Sequence, residues 1–312
     1  MPPDRNASAW RDWRTDHPLW VELFVLFNFG GLIGDIFLAH SQNGFRRGSE
    51  YIPLYFSIAA TVTLACVAPL RARMPGLSRT AGHLIGWLAV VVGLTGVILH
   101  LDSQFFVERT IRSLTYAAPF AAPLAYTGLG FLLLANRLVD PRSPEWPLWV
   151  LLLALGGFIG NFVFSLSDHA QNGFYNPLEW LPVISSAVAV GSLAVPFVTE
   201  VTRSYVRWCA WVLGTQAVIG VAGFVLHAAA VTRQPAASWF EKVLTGAPPL
   251  APLLFPNLVV LAAIGLWVLN RGMSSRTEFT GQGTGTINSE RRSPTEDDRA
   301  ARTLTESSST GL

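Results

Sequence analysis

The sequence predicts an all-α integral membrane protein of eight transmembrane helices, built as two tandem four-helix repeats related by an axis along the membrane normal. Hydrophobic residues make up 51% of the 312-residue chain and charged residues only 13%, about half the charged share of a soluble domain. The apolar residues come in blocks of about twenty, the length needed to cross roughly 30 Å of hydrocarbon. The third observation is that the two halves of the chain carry the same motifs.

Eight apolar blocks are long enough to cross a bilayer as helices, four in each half. They cover residues 19–39, 52–70, 83–101, 114–135, 146–166, 181–198, 207–228 and 250–269. Because an even number of spans gives both repeats the same orientation, the symmetry axis is expected along the membrane normal. The predicted organisation is a cytoplasmic N-terminal segment, two transmembrane repeats and a tail, at residues 1–18, 19–140, 141–272 and 273–312.

The first and fifth spans end in one shared motif. His40-Ser41-Gln42-Asn43-Gly44-Phe45, followed by Glu50-Tyr51-Ile52-Pro53, recurs as His169-Ala170-Gln171-Asn172-Gly173-Phe174, followed by Glu179-Trp180-Leu181-Pro182. The third and seventh spans also end alike, with Gly93-x-x-Gly96-x-x-Leu99-His100 and Gly220-x-x-Gly223-x-x-Leu226-His227. The period of about 128 residues indicates two copies of one structural unit.

Basic residues beside the spans predict the orientation. Twelve arginines lie on the side of the N-terminus and of the loops that follow even-numbered spans, against five arginines and one lysine on the other side. We therefore expect a multi-pass protein of the cell membrane with both termini in the cytoplasm. Every repeated motif would then lie on the extracytoplasmic side.

Turn geometry alone explains part of the repeated motif. Asn-Gly after a helix supplies a left-handed residue that ends it. Proline suits the first turn of the next helix, and Glu50 or Glu179 before that turn would complement the positive end of the helix dipole. For the two glutamates, this structural interpretation and a role as metal ligands both stay open.

The four histidines at the outer ends of the odd spans are less easily explained by structure. His40, His100, His169 and His227 fall at one membrane depth, in two matched pairs. Imidazole at a helix C-terminus interacts favourably with the dipole, so a structural role is one alternative. The other is a metal site, because histidine with carboxylate and without cysteine suits iron, copper or zinc, and paired histidines can hold haem b axially.

In the third span of each half, two glycines lie on the same helical face as the histidine, one and two turns before it. They are Gly93 and Gly96 below His100, and Gly220 and Gly223 below His227. Such a bare strip suits the edge of a bound macrocycle, and it equally suits a neighbouring helix at close approach. The sequence leaves both interpretations open.

Further polar residues are candidates for orienting the histidines or for a proton path. In the outer ends these are Gln42, Gln171, Asp102 and Asp168, and within the spans they are Asp35 and its counterpart Asn161. An intramembrane carboxylate is costly, so Asp35 is expected to be paired or functional. The two halves are chemically unequal, because Asn161 replaces a carboxylate with an amide.

Three functions fit these patterns. The first is a metal or haem protein with a redox or cofactor-handling role. The second is a transporter of a small polar solute or cation, with a midplane site near Asp35 and Asn161. The third is a non-catalytic membrane scaffold or assembly subunit. Two bundles with one histidine pair each resemble haem A synthase in outline. That family's Glu-x-x-x-His pattern is missing from the spans, so the resemblance implies no membership.

Residues 273–312 are rich in Ser, Thr, Gly, Arg and Glu and show no apolar periodicity, which predicts a disordered cytoplasmic tail. A net charge of +2 and the lack of a glycine-rich phosphate loop in a strand–helix context argue against nucleic acid or nucleotide partners. The expected partners are membrane lipid and a small-molecule ligand. The sequence indicates no particular protein partner.

Overall fold

The computed structural model describes residues 15–116, 118–236 and 238–289. Their regular secondary structure is helical throughout. In chain order the helices are α1 (His17–Ser41), α2 (Tyr51–Val67), α3 (Pro75–Asp102), α4 (Phe105–Glu108), α5 (Ile111–Tyr116), α6 (Leu124–Leu138), α7 (Glu145–Gln171), α8 (Trp180–Ala194), α9 (Arg203–Arg233), α10 (Trp239–Thr245) and α11 (Leu254–Ser289).

Seven of the described helical segments are long and apolar enough to cross a membrane. They are His17–Ser41, Gly48–Leu70, Pro75–Asp102, Glu145–Gln171, Pro177–Phe197, Arg203–Arg233 and Ala251–Met273, of which three include short 3₁₀ turns at the ends of α2, α8 and α11. Each matches one of the predicted spans. Helices of this number, length and composition are those of a multi-pass membrane protein.

The fourth predicted span, residues 114–135, differs from the prediction. It is divided between α5 and α6, and α6 has only 15 residues, fewer than the roughly 20 that a span usually needs. Pro119 and Pro123 account for the division, since proline has no N–H for the helical ladder, and α6 begins directly after Pro123. The described residues therefore contain seven full-length spans and not the eight predicted.

Helix α6 nevertheless runs antiparallel to α3 along most of its length. Gly96 lies against Pro123 near one end of the pair, and Gly82 lies against Arg137 near the other. A Cβ atom on Gly93, between these contacts, would collide with Thr127. A Cβ on Gly93 would also meet the backbone of Thr127 and the carbonyl of Pro123, so glycine at this position lets the two backbones approach closely.

Contacts group the spans into two bundles within residues 15–269. In the first, α1, α2, α3 and α6 form a closed ring. In the second, α7, α8 and α9 pack in order, α9 packs on the turn before α11, and Gly157 and Gly265 bring α7 and α11 together. The bundles meet where α6 contacts α7 and where Asn28 and Asn257 exchange amide hydrogen bonds of 3.2 and 2.6 Å.

A charge network ties the ends of three elements together in the first bundle. Glu22, only 4% exposed, pairs with Arg71 at 3.2 Å and with Arg137 of α6. Arg71 also pairs with Asp16, which accepts a hydrogen bond at the start of α1. The sequence analysis did not single out Glu22, because a glutamate one turn into an apolar helix carries no sign of its two basic partners.

The chain divides into one compact unit at Met1–Leu269 and a second at Asn270–Leu312. Helix α11 begins in the first unit and ends at Ser289 in the second. Residues 273–289 of the predicted tail are helical, as the last part of α11. Residues 290–312 lie outside the described residues, and their disorder stays a prediction.

Candidate functional site

Both repeated motifs fold into the same turn. Gly44 and Gly173 are left-handed, with φ of 71° and 74°, as the Asn-Gly sequence predicts. Phe45 and Phe174 are left-handed as well, with φ of 50° and 52°, a conformation that costs a residue with a Cβ roughly 1–2 kcal/mol. Each phenylalanine N–H donates to the carbonyl of the motif histidine, at 3.1 and 3.0 Å, and this bond closes the turn.

The left-handed phenylalanine places its ring between the histidine and the next helix. In the first motif the ring of Phe45 lies 5.8 Å from that of His40 and stacks on Tyr51 at 4.6 Å. The corresponding distances in the second motif, to His169 and Trp180, are 6.1 and 4.1 Å. Strained residues of this kind persist where the surroundings hold them, and they cluster at functional sites.

Each motif histidine faces a glutamate. The Nδ1 atom of His40 lies 3.7 Å from Oε2 of Glu50, and Nδ1 of His169 lies 3.6 Å from Oε2 of Glu179. Both distances exceed a hydrogen bond. Each glutamate is the N-cap residue of the next helix, yet in the described structure neither side chain makes a capping bond. The carboxylates turn toward the histidines instead.

The glutamate oxygens that face the histidines lack hydrogen-bond donors in the described structure. The side chains of Glu50 and Glu179 are only 13% and 11% exposed. Within the described part of the chain, Oε2 of each is buried and has no hydrogen-bond partner. A buried carboxylate oxygen without a donor is costly, and the same arrangement occurs at both sites.

The other two histidines are oriented by proline carbonyls. Nδ1 of His100 lies 3.0 Å from the carbonyl oxygen of Pro119, and Nδ1 of His227 lies 2.9 Å from that of Pro248. A carbonyl only accepts hydrogen bonds, so Nδ1 must donate. In a neutral imidazole this leaves the lone pair on Nε2, the arrangement typical of a metal-ligating histidine with an orienting partner.

These groups form two clusters. The rings of His40 and His100 lie 6.3 Å apart at an interplanar angle of 81°, and both histidines interact electrostatically with Glu50; these three residues are called cluster 1. The corresponding cluster 2 contains His169, Glu179 and His227, in which His169 interacts electrostatically with the other two.

Neighbouring protein fills the glycine strips beneath the second histidine of each cluster. Gly93 and Gly96 pack against Thr127 and Pro123 at the start of α6. The corresponding glycines, Gly220 and Gly223, pack against Pro252, Pro256 and Phe255 at the start of α11. Of the two interpretations that the sequence left open, close helix packing describes the strips in this structure.

The remaining predicted residues are brought together only in part. Asp102 is exposed at the end of α3, and the partner of His100 is the Pro119 carbonyl. Asp168 interacts electrostatically with both histidines of cluster 2. Asp35 is exposed on α1, whereas Asn161 is buried and its amide nitrogen has no partner among the described residues.

Helices α5 and α10 each pack on the opposite bundle. Helix α5 follows the His100 helix but packs on α7, where Gln171 donates a 2.9 Å hydrogen bond to the carbonyl of Thr115. Helix α10 follows the His227 helix and packs on α1, beside a groove lined by Ser41, Gln42 and residues 244–246. The two glutamines of the repeated motif therefore mark the contacts between the halves.

The sequence analysis missed the prolines that orient the histidines. Pro119 and Pro248 lie in a third repeated pattern, Ala-Pro-x-x-Ala-Pro-Leu, at residues 118–124 and 247–253. This pattern was available in the sequence. Its function was not, because only the fold brings these carbonyls to His100 in α3 and to His227 in α9.

The fold and these clusters define a multi-pass helical membrane protein with paired histidine–glutamate groups at the ends of its helices. Among the described residues, no three His, Cys, Asp or Glu side chains are arranged to hold a metal ion as they stand. No protein-family model, curated protein or solved structure matches this chain. Its function is therefore argued from the clusters themselves.

Proposed function

We propose that the protein binds a transition-metal ion at each of its two histidine–glutamate clusters. The observation that carries the proposal is the buried glutamate oxygen, without a hydrogen bond among the described residues, that faces a histidine in both clusters. A bound cation would neutralise this carboxylate and offset the cost of its burial.

In cluster 1 the proposed ligands are His40, Glu50 and His100, and in cluster 2 they are His169, Glu179 and His227. The proline carbonyls support this assignment, because they hold Nδ1 of the second histidine as a donor and leave Nε2 for an ion. Two imidazoles and one carboxylate suit iron, copper or zinc. Side-chain rotation would have to bring the three ligands onto one point, since they do not converge as they stand.

An ion fits the clusters better than haem b. The strips below His100 and His227 are filled by Pro123, Thr127 and Pro252, so a flat macrocycle would have to displace a packed helix. Copper or iron held by such ligands supplies one-electron chemistry, and zinc supplies Lewis acidity. The proposed role is therefore redox chemistry or metal handling at the membrane surface.

The proposal includes a topology in which α6 and its preceding segment cross the membrane as the fourth of eight spans. This topology is supported by the antiparallel packing of α6 against α3, from Pro123 at one end to Arg137 at the other. An even number of crossings in each half would relate the bundles by an axis along the membrane normal. The arginine distribution supports a cell-membrane protein with both termini in the cytoplasm and both clusters outside.

Metal content tests the proposal. The protein is purified in detergent, and iron, copper and zinc per chain are measured for the native chain and for a variant with Glu50→Gln and Glu179→Gln. We expect the native chain to hold nearly one metal ion for each of its two clusters, and the double variant to lose this metal. Glu108→Gln, an exposed glutamate at the end of α4, is the matched control and should retain metal. Well-folded native protein that holds no metal after incubation with each ion would refute the proposal.

A transporter is the second candidate, and one observation favours it. Asp35 is a carboxylate within an apolar span, and a Cβ built on the neighbouring Gly34 meets no described atom within 4 Å beyond its own stretch of helix. Asn28, a conceivable partner, is instead bonded to Asn257. Solute uptake that is lost in Asp35→Asn but retained after loss of the cluster glutamates would favour this candidate.

A further inference from the structure

A groove of about 370 Å³ lies where α10 of the second half packs on the end of α1 in the first half. It is lined by Ser41, Gln42, Leu244, Thr245 and Gly246. Among the described residues, no member of cluster 1 or cluster 2 lines it. Sites for small molecules are generally clefts of about 300–1,000 Å³, so the groove has room for one small solute.

The two hydroxyl groups of the groove can only accept further hydrogen bonds. The hydroxyl of Ser41 donates its hydrogen to the carbonyl of Phe37 at 2.5 Å, and the hydroxyl of Thr245 donates to the carbonyl of Glu241 at 2.8 Å. A hydroxyl has one hydrogen and two lone pairs, so only lone pairs remain for a ligand. Ser41 and Thr245 are also the last residues of α1 and α10, and the backbone groups left over at helix C-termini are carbonyls.

The amide of Gln42 is the third polar group of the groove. Gln42 is exposed, and its side chain makes no hydrogen bond to the described part of the chain. Its counterpart in the second half, Gln171, donates a 2.9 Å hydrogen bond to the backbone carbonyl of Thr115 in α5. The amide that joins two elements in one half is therefore free to meet a ligand in the other half.

We infer that the groove binds a small, uncharged molecule with several hydroxyl groups, of the sugar or polyol class. Such a molecule donates hydrogen bonds to Ser41 and Thr245, and it both donates to and accepts from the amide of Gln42. An ionic ligand is disfavoured, because none of the described residues that line the groove is charged and an ion is costly to desolvate without a partner. A free sugar and the head group of a glycolipid present the same hydroxyl groups.

Glucose is the first probe, and its binding to the full chain is titrated by saturation-transfer NMR in an amine-oxide detergent, which carries no sugar. We expect the native chain to bind glucose. Thr245→Val should bind it about fivefold less tightly, because valine keeps the shape of threonine and loses one hydrogen bond. Gln42→Leu should weaken binding by a similar factor.

Thr115→Val is the matched control. The hydroxyl of Thr115 likewise bonds to the carbonyl one turn earlier, that of Ile111 at 3.0 Å, but Thr115 does not line the groove. The hydrogen bond from Gln171 goes to the backbone of Thr115, so valine keeps it. The affinity for glucose should therefore equal that of the native chain.

A second titration distinguishes the two sources of the ligand, with the chain in phosphatidylcholine vesicles that contain or lack a galactolipid. Binding of the galactolipid but not of free glucose, again weakened by Thr245→Val, would assign the groove to a membrane glycolipid. Binding of neither probe, or equal losses in Thr245→Val and Thr115→Val, would overturn the inference. The groove is separate from the metal clusters, so Thr245→Val should keep the metal content of the native chain whichever result is obtained.

Discussion

The imidazole of His100 donates its Nδ1 hydrogen to the carbonyl oxygen of Pro119 across 3.0 Å, and His227 makes the same bond to Pro248 at 2.9 Å. In each case a proline-containing loop before the last helix of a bundle fixes the tautomer of a histidine on the preceding long helix. The matching geometry follows from matching sequences, since both loops carry Ala-Pro-x-x-Ala-Pro-Leu.

The first prediction concerns that tautomer. When neutral, His100 and His227 should carry hydrogen on Nδ1 and none on Nε2, because the proline carbonyl can only accept. Nitrogen-15 NMR of histidine-labelled protein, free of metal, distinguishes the two tautomers, and His100→Gln and His227→Gln assign the signals. Signals of the Nε2-protonated form at these two residues would contradict the geometry.

Close packing at Gly93 leads to the second prediction. Gly93→Ala should destabilise the protein by about 1–3 kcal/mol, because the added methyl group collides with Thr127 and the carbonyl of Pro123. The measurement is thermal or denaturant unfolding in detergent. Gly34→Ala is the control in the same kind of apolar helix, where a new Cβ meets no described atom within 4 Å beyond its own stretch of helix; it should be neutral or slightly stabilising.

The left-handed turn gives the third prediction. Gly44→Ala should lower stability by about 1–2 kcal/mol, since φ is 71° at that position. It should also weaken metal binding at cluster 1, because the turn sets the distance between His40 and Glu50. Gly48→Ala, in the same loop without a positive φ, serves as the control in unfolding and metal-content measurements. Equal effects of the two substitutions would argue against a role for the turn.

The buried ion network gives the fourth prediction. Glu22→Gln should destabilise the protein by about 3 kcal/mol, because it leaves the positive charges of Arg71 and Arg137 without their shared buried carboxylate. Glu145→Gln, an exposed glutamate at the start of α7, should change stability little. Unfolding midpoints in detergent compare the two variants, and a Glu22→Gln protein as stable as the native chain would show that the network contributes little.

The helices were predictable because each apolar block is long and uninterrupted. Seven spans coincide with predicted blocks, although α3 begins at Pro75 and not at residue 83, and the two Asn-Gly turns have the predicted left-handed glycines. The fourth predicted span, residues 114–135, is not one continuous helix, because Pro119 and Pro123 fall within it and the prediction depended on apolar composition alone. Proline removes a backbone donor whatever the hydropathy of its neighbours, and the helix starts only after Pro123.

The sequence indicated which residues the candidate clusters contain, but not which of these residues contact each other. The repeat identified the histidines and glutamates together. The sequence around Glu50 is the same, however, whether this residue complements a helix dipole or binds a metal. The side-chain direction distinguishes them, and it depends on how the turn folds. The glycine strips were ambiguous for a similar reason, because a helix and a macrocycle need the same bare surface.

The sequence by itself determined that this protein is helical, multi-pass and built from a repeated histidine motif, because hydropathy, turn residues and repetition are properties of the chain alone. Only the tertiary structure decided that Glu50 and Glu179 face the histidines, that proline carbonyls orient His100 and His227, and that α6 fills the strip beside Gly93. These contacts join different elements of the structure, and the folding of the turns and the packing of the helices fix them.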